Sequence, residues 1–137
     1  MVELQAPAEL KTELTAIGTL VQRPAGAFLF RRGDAGKGIF LIAAGAVRLG
    51  LEEEPPVFPS RKIKPGAVLG LPATLSDSPY RLSAQAVDDS VFVHLSRENL
   101  LGLLRDQHHL CFHVMRILTE ELAETRMALE RVKKVGV

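Results

Sequence analysis

The 137 residues suit one compact domain, since domains run to roughly 100 to 200 residues, and a content of 47% apolar and 24% charged residues excludes a disordered polymer. A formal net charge of +1 gives no global basic field to gather nucleic acid or anionic membrane. The single cysteine, Cys111, excludes an intrachain disulfide, no apolar run reaches the roughly 18 residues of a membrane span, and the N-terminus lacks the charged flank and apolar centre of a signal peptide, so a cytoplasmic protein is expected.

All eight prolines lie at or before Pro79 and nine of the eleven glycines between Gly18 and Gly70. Short apolar stretches between such residues predict strands and tight turns, whereas the second half predicts helix. Pro7 is placed to start a short helix with Leu10, Leu14 and Ile17 on one apolar face. Candidate strands follow at 27–31, 39–43, 46–51, 61–64, 84–87 and 90–95, at spacings that suit a sandwich or barrel. The Gly33 to Gly38 stretch and Ala44-Gly45 are turn signals, Asp88-Asp89 marks a hairpin turn, and Pro55, Pro56 and Pro59 mark an irregular loop. Ser96 is a candidate N-cap for a helix that buries Leu100, Leu101, Leu103 and Leu104.

A second, longer helix is expected from Asp106. Within it Cys111, Met115, Leu118, Leu122, Thr125, Leu129 and Val132 are spaced 4, 3, 4, 3, 4, 3, a continuous heptad seam. A flanking set, Leu110, Val114 and Ile117, widens the apolar face at first and then gives way to Glu121 and Glu124. The early turns should therefore pack on their own domain, and the later ones keep a narrow stripe for one partner helix. At about 1.5 Å per residue the helix reaches roughly 45 Å, longer than a small domain covers. A homodimer through Met115, Leu118, Leu122, Thr125, Leu129 and Val132 is the expectation, with a surface helix lying across its own barrel as the alternative.

The stretch from Gly26 to Leu49, GAFLFRRGDAGKGIFLIAAGAVRL, resembles the opening of the cyclic nucleotide-binding domain of CRP/FNR-type regulators, through Gly26, the segment from Phe30 to Asp34, Phe40, Gly45 and Val47. Pro65-Gly66, Val68-Leu69-Gly70 and Arg81 resemble that family's phosphate-binding cassette, and Ala84, Ala86 and the strand at 91–95 continue the match. The resemblance implies a mainly β fold with flanking helices: a double-stranded β-helix, or jelly-roll, barrel of eight strands over about 23–95. A short N-terminal helix precedes it and helices over about 96–135 follow, the last a long dimerisation helix. One sensor domain over 8–135 is implied, without the C-terminal helix-turn-helix domain of the family.

A cyclic phosphate needs amide donors at a short helix N-terminus and a guanidinium for charge-assisted bonds. Gly70 to Leu75 followed by Arg81 can supply both, and the ligand-binding set expected is Gly70, Leu71, Ala73, Thr74, Arg81, Leu82 and Ser83. Cyclic nucleotide binders of the family carry a glutamate directly after the glycine to accept the ribose 2′-hydroxyl, and here that residue is Leu71, with no substitute carboxylate expected nearby. Pro72 removes one amide donor, and Leu82 stands where a small hydroxyl residue usually follows the arginine. The alignment brings Leu129 and Glu130 to the place where long-helix residues meet the adenine. A cyclic nucleotide, a different small anionic ligand, and a barrel kept for protein contacts all remain open.

Other chemistry is weakly signalled. His108, His109, Cys111 and His113 are the only cluster of potential metal ligands, but Cys111 falls on the apolar seam and the histidines near a helix start, so no metal site is expected. No nucleophile elbow, P-loop or HExxH occurs, and the carboxylates of Glu52 to Glu54 and of Asp88-Asp89 read as solvated turn residues, so no enzyme is expected. Arg131, Lys133 and Lys134 suit a helix C-terminus; three charges alone would bind DNA weakly. The reading is a sensor domain of the kind used in transcription regulation, which binds a small ligand and signals through its long helix. Its rival is a ligand-free interaction or dimerisation module on the same fold.

Overall fold

The computed structural model describes residues 4–51 and 61–135, apart from the side chains of Arg61, Glu124 and residues 127–135. The chain runs α1 (Ala8–Ile17), β1 (Thr19–Arg23), β2 (Phe28–Phe30), β3 (Ile39–Ala44), β4 (Val47–Gly50), β5 (Arg61–Ile63), β6 (Val68–Leu69), α2 (Leu71–Ser76), β7 (Ser83–Ala86), β8 (Ser90–Leu95) and α3 (Arg97–Asp106). A 3-10 turn (His108–Leu110) then leads into α4 (Cys111–Val135). The strands form two four-stranded antiparallel sheets, ordered β1-β8-β3-β6 and β2-β7-β4-β5. This is the mainly β, jelly-roll type of barrel with flanking helices that the sequence implies.

Residue periodicity explains which face each strand turns inward. In β4, Val47 and Leu49 are buried while Arg48 between them is exposed, the period of two that an extended backbone imposes. By contrast, Ile39, Phe40, Leu41 and Ile42 of β3 are all buried, because this strand lies between β8 and β6 and helices cover the sheet. Leu10 and Leu14 of α1, each 1% exposed, join that core, and a fully buried leucine stabilises by roughly 1.5–3 kcal/mol. Ile17, expected on the same face, is exposed.

Six strands fall where the punctuation places them, within one or two residues. β1 and β6 are additions. β1 is an edge strand whose Leu20 points outward at 69% exposure, so it lacks inward alternation, and β6 is two residues between glycines. The turn at 87–89 is not a hairpin, since β7 and β8 belong to different sheets. Ser96 caps α3 by accepting the Asn99 amide at 3.2 Å, and Leu100 and Leu103 are buried, while Leu104 is partly buried. The long helix begins at Cys111 rather than at Asp106, which ends α3; the 3-10 turn between them redirects the chain. The proline loop lies outside the described residues.

The face that α4 turns to the barrel is the flanking set, continued one turn further than its apolar residues. Leu110, Val114, Ile117, Glu121 and Thr125 are all buried, whereas Phe112, Met115 and Leu122 of the same stretch are exposed. No helix among the described residues is long and apolar enough to cross a membrane.

Candidate functional site

The cassette begins where β6 ends. Gly70 has φ +90°, and a Cβ there would stand 3.0 Å from the Gly38 carbonyl oxygen and 3.1 Å from the Tyr80 ring. Both the left-handed backbone and the close approach require glycine. The amide of this turn points to α4, where it meets Glu121 at 3.0 Å. The Thr74 hydroxyl donates to the Gly70 carbonyl at 2.8 Å, and Arg97 Nε donates to the Thr74 carbonyl at 3.0 Å, so α3 fixes α2 in place.

One wall is aromatic. Phe30 and Tyr80 stack with centroids 3.9 Å apart and planes 11° from parallel. The Tyr80 hydroxyl donates to the Gly38 carbonyl and accepts the Lys37 amide, each at 2.9 Å, which pins the Gly33 to Gly38 turn against the cassette. Burial raises the Tyr80 pKa, with the negative charges of Glu121 and Asp34 adding to it against the Lys37 amide bond.

A further side comes from α4. Glu121 Oε1 accepts the Gly70 amide at 3.0 Å, and Oε2 is buried with no hydrogen-bond partner. Burial pushes this carboxyl from an ordinary 4.5 up to about 7, against the opposing pull of the Gly70 and Leu71 amides and the Arg81 charge. The cavity between Glu121, Thr125, Phe30, Tyr80, Arg81 and the Gly70-to-Ala73 turn is about 10 Å³, room for about one water.

Of the seven cassette residues singled out in the sequence, Gly70, Ala73, Arg81 and Leu82 line this cavity. Arg81 is exposed. Leu71, 1% exposed, belongs to the hydrophobic core and does not line the cavity, Thr74 turns its hydroxyl back to Gly70, and Ser83 accepts the Arg32 amide at 2.8 Å. The expectation that no carboxylate lies nearby is overturned by Glu121. Its signal was in the sequence: Glu121 follows Ile117 by four residues on the same helical face. Thr125 also differs from expectation, lining the cavity as well as falling on the heptad spacing. Leu118 packs partly against the core, Met115 and Leu122 face outward, and the side chains of Leu129, Glu130 and Val132 lie outside the described residues, as do those of Arg131, Lys133 and Lys134.

The histidines have a plainer occupation. His109 Nε2 pairs with Glu9 Oε1, and His113 Nε2 lies 3.8 Å from Glu9 Oε2, joining the start of α4 to α1. Cys111 and His108 border an open groove with Leu101, Leu104 and Arg105. No group of three potential ligands suited to a metal ion occurs among the described residues.

Comparison with known proteins agrees with this fold. The family model described as the cyclic nucleotide-binding domain matches residues 20–107. The cyclic AMP receptor protein of Thermus thermophilus is 30% identical over 112 residues, covering 78% of this chain and 50% of the relative; the chain thus spans about half the length of that curated relative. The crystal structure of the Thermus thermophilus catabolite activator protein superposes with a TM-score of 0.75 at 25% identity, covering 93% of this chain and 60% of the other. A cyclic nucleotide-binding domain from Methylobacillus flagellatus KT gives a TM-score of 0.67 at 25% identity, covering 92% of this chain and 72% of the other. With its barrel and the family model matched over residues 20–107, the chain belongs to the cyclic nucleotide-binding domain family, with its relatives among the CRP-type proteins.

Proposed function

We propose that this chain is a regulatory sensor domain that takes a cyclic nucleotide, or a small anion of similar chemistry, at the cassette and reports occupancy through α4. The observation that carries the reading is the Gly70 amide, which already holds a carboxylate at 3.0 Å on a cavity that Arg81 also lines. Such a turn accepts an anion, and Arg81 offers the charge to pair with one. Gly70, Ala73, Arg81 and Leu82 would contact the ligand, with Leu71, Thr74 and Ser83 supporting them from behind. The Thermus thermophilus relative is named as a cyclic AMP receptor, which favours cyclic AMP as the first ligand to test. With Leu71 turned into the core, a ribose hydroxyl lacks its usual acceptor, a loss of about 1–3 kcal/mol that makes binding about tenfold to a hundredfold weaker.

The output is assigned to a homodimer joined along α4. Phe112, Met115 and Leu122, at 76%, 59% and 38% exposure, form an apolar row on the side away from the barrel, the stripe a partner helix covers. Ligand at the cassette would shift the population of α4 positions relative to the barrel, the signal a transcription regulator needs.

Titration calorimetry with cyclic AMP and cyclic GMP, on the chain and on Arg81→Ala, tests the site. Saturable heat that Arg81→Ala loses is expected. Undiminished affinity in Arg81→Ala places the nucleotide elsewhere and overturns the cassette. The second reading, a ligand-free interaction or dimerisation module, draws on the cavity being only about 10 Å³; silence toward both nucleotides at millimolar concentration favours it for the wild-type chain.

A further inference from the structure

Two facts about Glu121 are unexplained by a core-packing role. A carboxylate on the barrel-facing side of α4, 4% exposed, is an expensive choice where the preceding turns place Val114 and Ile117. Moreover, only one of its oxygens is satisfied: Oε1 accepts the Gly70 amide, while Oε2 has no partner. A side chain selected to pack or to pair would not leave an oxygen orphaned inside the protein. Glu121 lines the same cavity as Arg81, Tyr80 and Thr125, so its carboxyl stands at the cassette.

We propose that Glu121 is an internal occupant of the ligand site, a specificity-determining residue that an anionic ligand must displace, so that ligand binding and the docking of α4 on the cassette exclude one another. This rests on the cassette being the ligand site, and it states how that site is regulated. The amide that would serve an incoming phosphate or hydroxyl is already taken by Oε1, and the remaining cavity of about 10 Å³ admits a water and nothing larger. Where the Glu121 carboxyl is ionised, an anion arriving beside Arg81 also meets its negative charge at short range, which raises the cost of entry. Since Glu121 and Thr125 are one turn apart on α4, expelling the carboxylate lifts that turn from α2. The displaced element is therefore the same helix that carries the exposed apolar row, and occupancy is converted into a helix movement. Ligands that neither pair with Arg81 nor compete for the Gly70 amide gain nothing by displacing Glu121 and are rejected.

The test is calorimetric titration of the full chain with cyclic AMP and, separately, cyclic GMP, in wild type, Glu121→Ala and Glu121→Gln. Glu121→Gln keeps the size of the side chain and guards against a folding defect in the alanine variant, and circular dichroism confirms that each is folded. The expected result is binding roughly tenfold or more tighter in Glu121→Ala than in the wild type, including binding seen only in the variant, with a smaller gain in Glu121→Gln, whose side chain still accepts the Gly70 amide but carries no charge. Equal or weaker binding in the variants, with the wild type binding, overturns the proposal and leaves the cassette as the ligand site; Glu121 would then assist the ligand. Silence from all three proteins overturns the cassette as a nucleotide site, and the proposal with it.

Discussion

Glu121 on α4 and Gly70 on the cassette turn are joined by a single hydrogen bond of 3.0 Å, and the second oxygen of that carboxylate is buried without a partner. The bond ties a buried turn of the long helix to the residue whose left-handed backbone opens α2. The amide bond itself favours the ionised carboxylate, but burial is the larger effect and raises the carboxyl from 4.5 to about 7, so the folded state holds a proton that the unfolded state has released. The stability linked to burying the protonated carboxyl is fully present below about 4.5 and is lost as pH rises through about 7. The groups facing the carboxyl are Arg81, which favours its ionised form, and the Tyr80 phenol, whose own pKa it raises. Urea unfolding between pH 5 and pH 8.5 is expected to show stability falling with pH by on the order of 3 kcal/mol, and Glu121→Gln is expected to flatten that slope. An unchanged slope in the variant would assign the pH dependence to another group.

Tyr80 is the polar anchor of the cassette wall. Tyr80→Phe keeps the ring on Phe30 but strips the Gly38 carbonyl and the Lys37 amide of their shared hydroxyl. A loss of about 1–3 kcal/mol is expected, read as a lower urea midpoint with an unchanged denaturant slope.

Leu71 invites a repair that the fold forbids. Replacing it with glutamate restores the residue type expected of the family's cyclic nucleotide binders, yet its side chain is 1% exposed within the hydrophobic core. Leu71→Glu is expected to destabilise the domain by about 3 kcal/mol or more, and to lower the melting temperature without improving nucleotide affinity. A stable variant with tighter binding would show that the position opens to the ligand.

The outward row of α4 makes the dimer separable from the ligand site. Met115→Glu with Leu122→Glu alters only exposed positions, so sedimentation is expected to report a monomer where the wild type is a dimer, with the melting curve of the isolated domain little changed. A wild-type monomer at tens of micromolar would contradict the role given to this face.

Much of the barrel was legible because its strands are short apolar runs cut by Gly and Pro, and turn chemistry is local. β1 was not, since an edge strand with Leu20 turned to solvent carries no inward alternation. The long helix was legible in its existence, and its flanking set was read as packing on its own domain, where Val114 and Ile117 are buried. The heptad set divides: Met115 and Leu122 face outward, while Leu118 packs partly against the core and Thr125 is buried, a division that periodicity alone cannot supply. The resemblance drew attention to the residue after Gly70, while the carboxylate at this site comes from a residue 51 positions away along the chain. Such a contact is created by tertiary packing, and its only trace in the sequence is an acidic residue at a core-facing helical spacing.

The most direct measurement is a set of two-dimensional amide spectra of the full chain titrated with cyclic AMP, beside the same titration of Glu121→Gln. If the cassette is the ligand site and Glu121 its internal occupant, the Gly70 and Leu71 amides move first and furthest, the α4 amides around Glu121 move with them, and Glu121→Gln reaches the same end point at lower nucleotide concentration. Shifts confined to the exposed face of α4, or no shift in either protein at millimolar nucleotide, would contradict it.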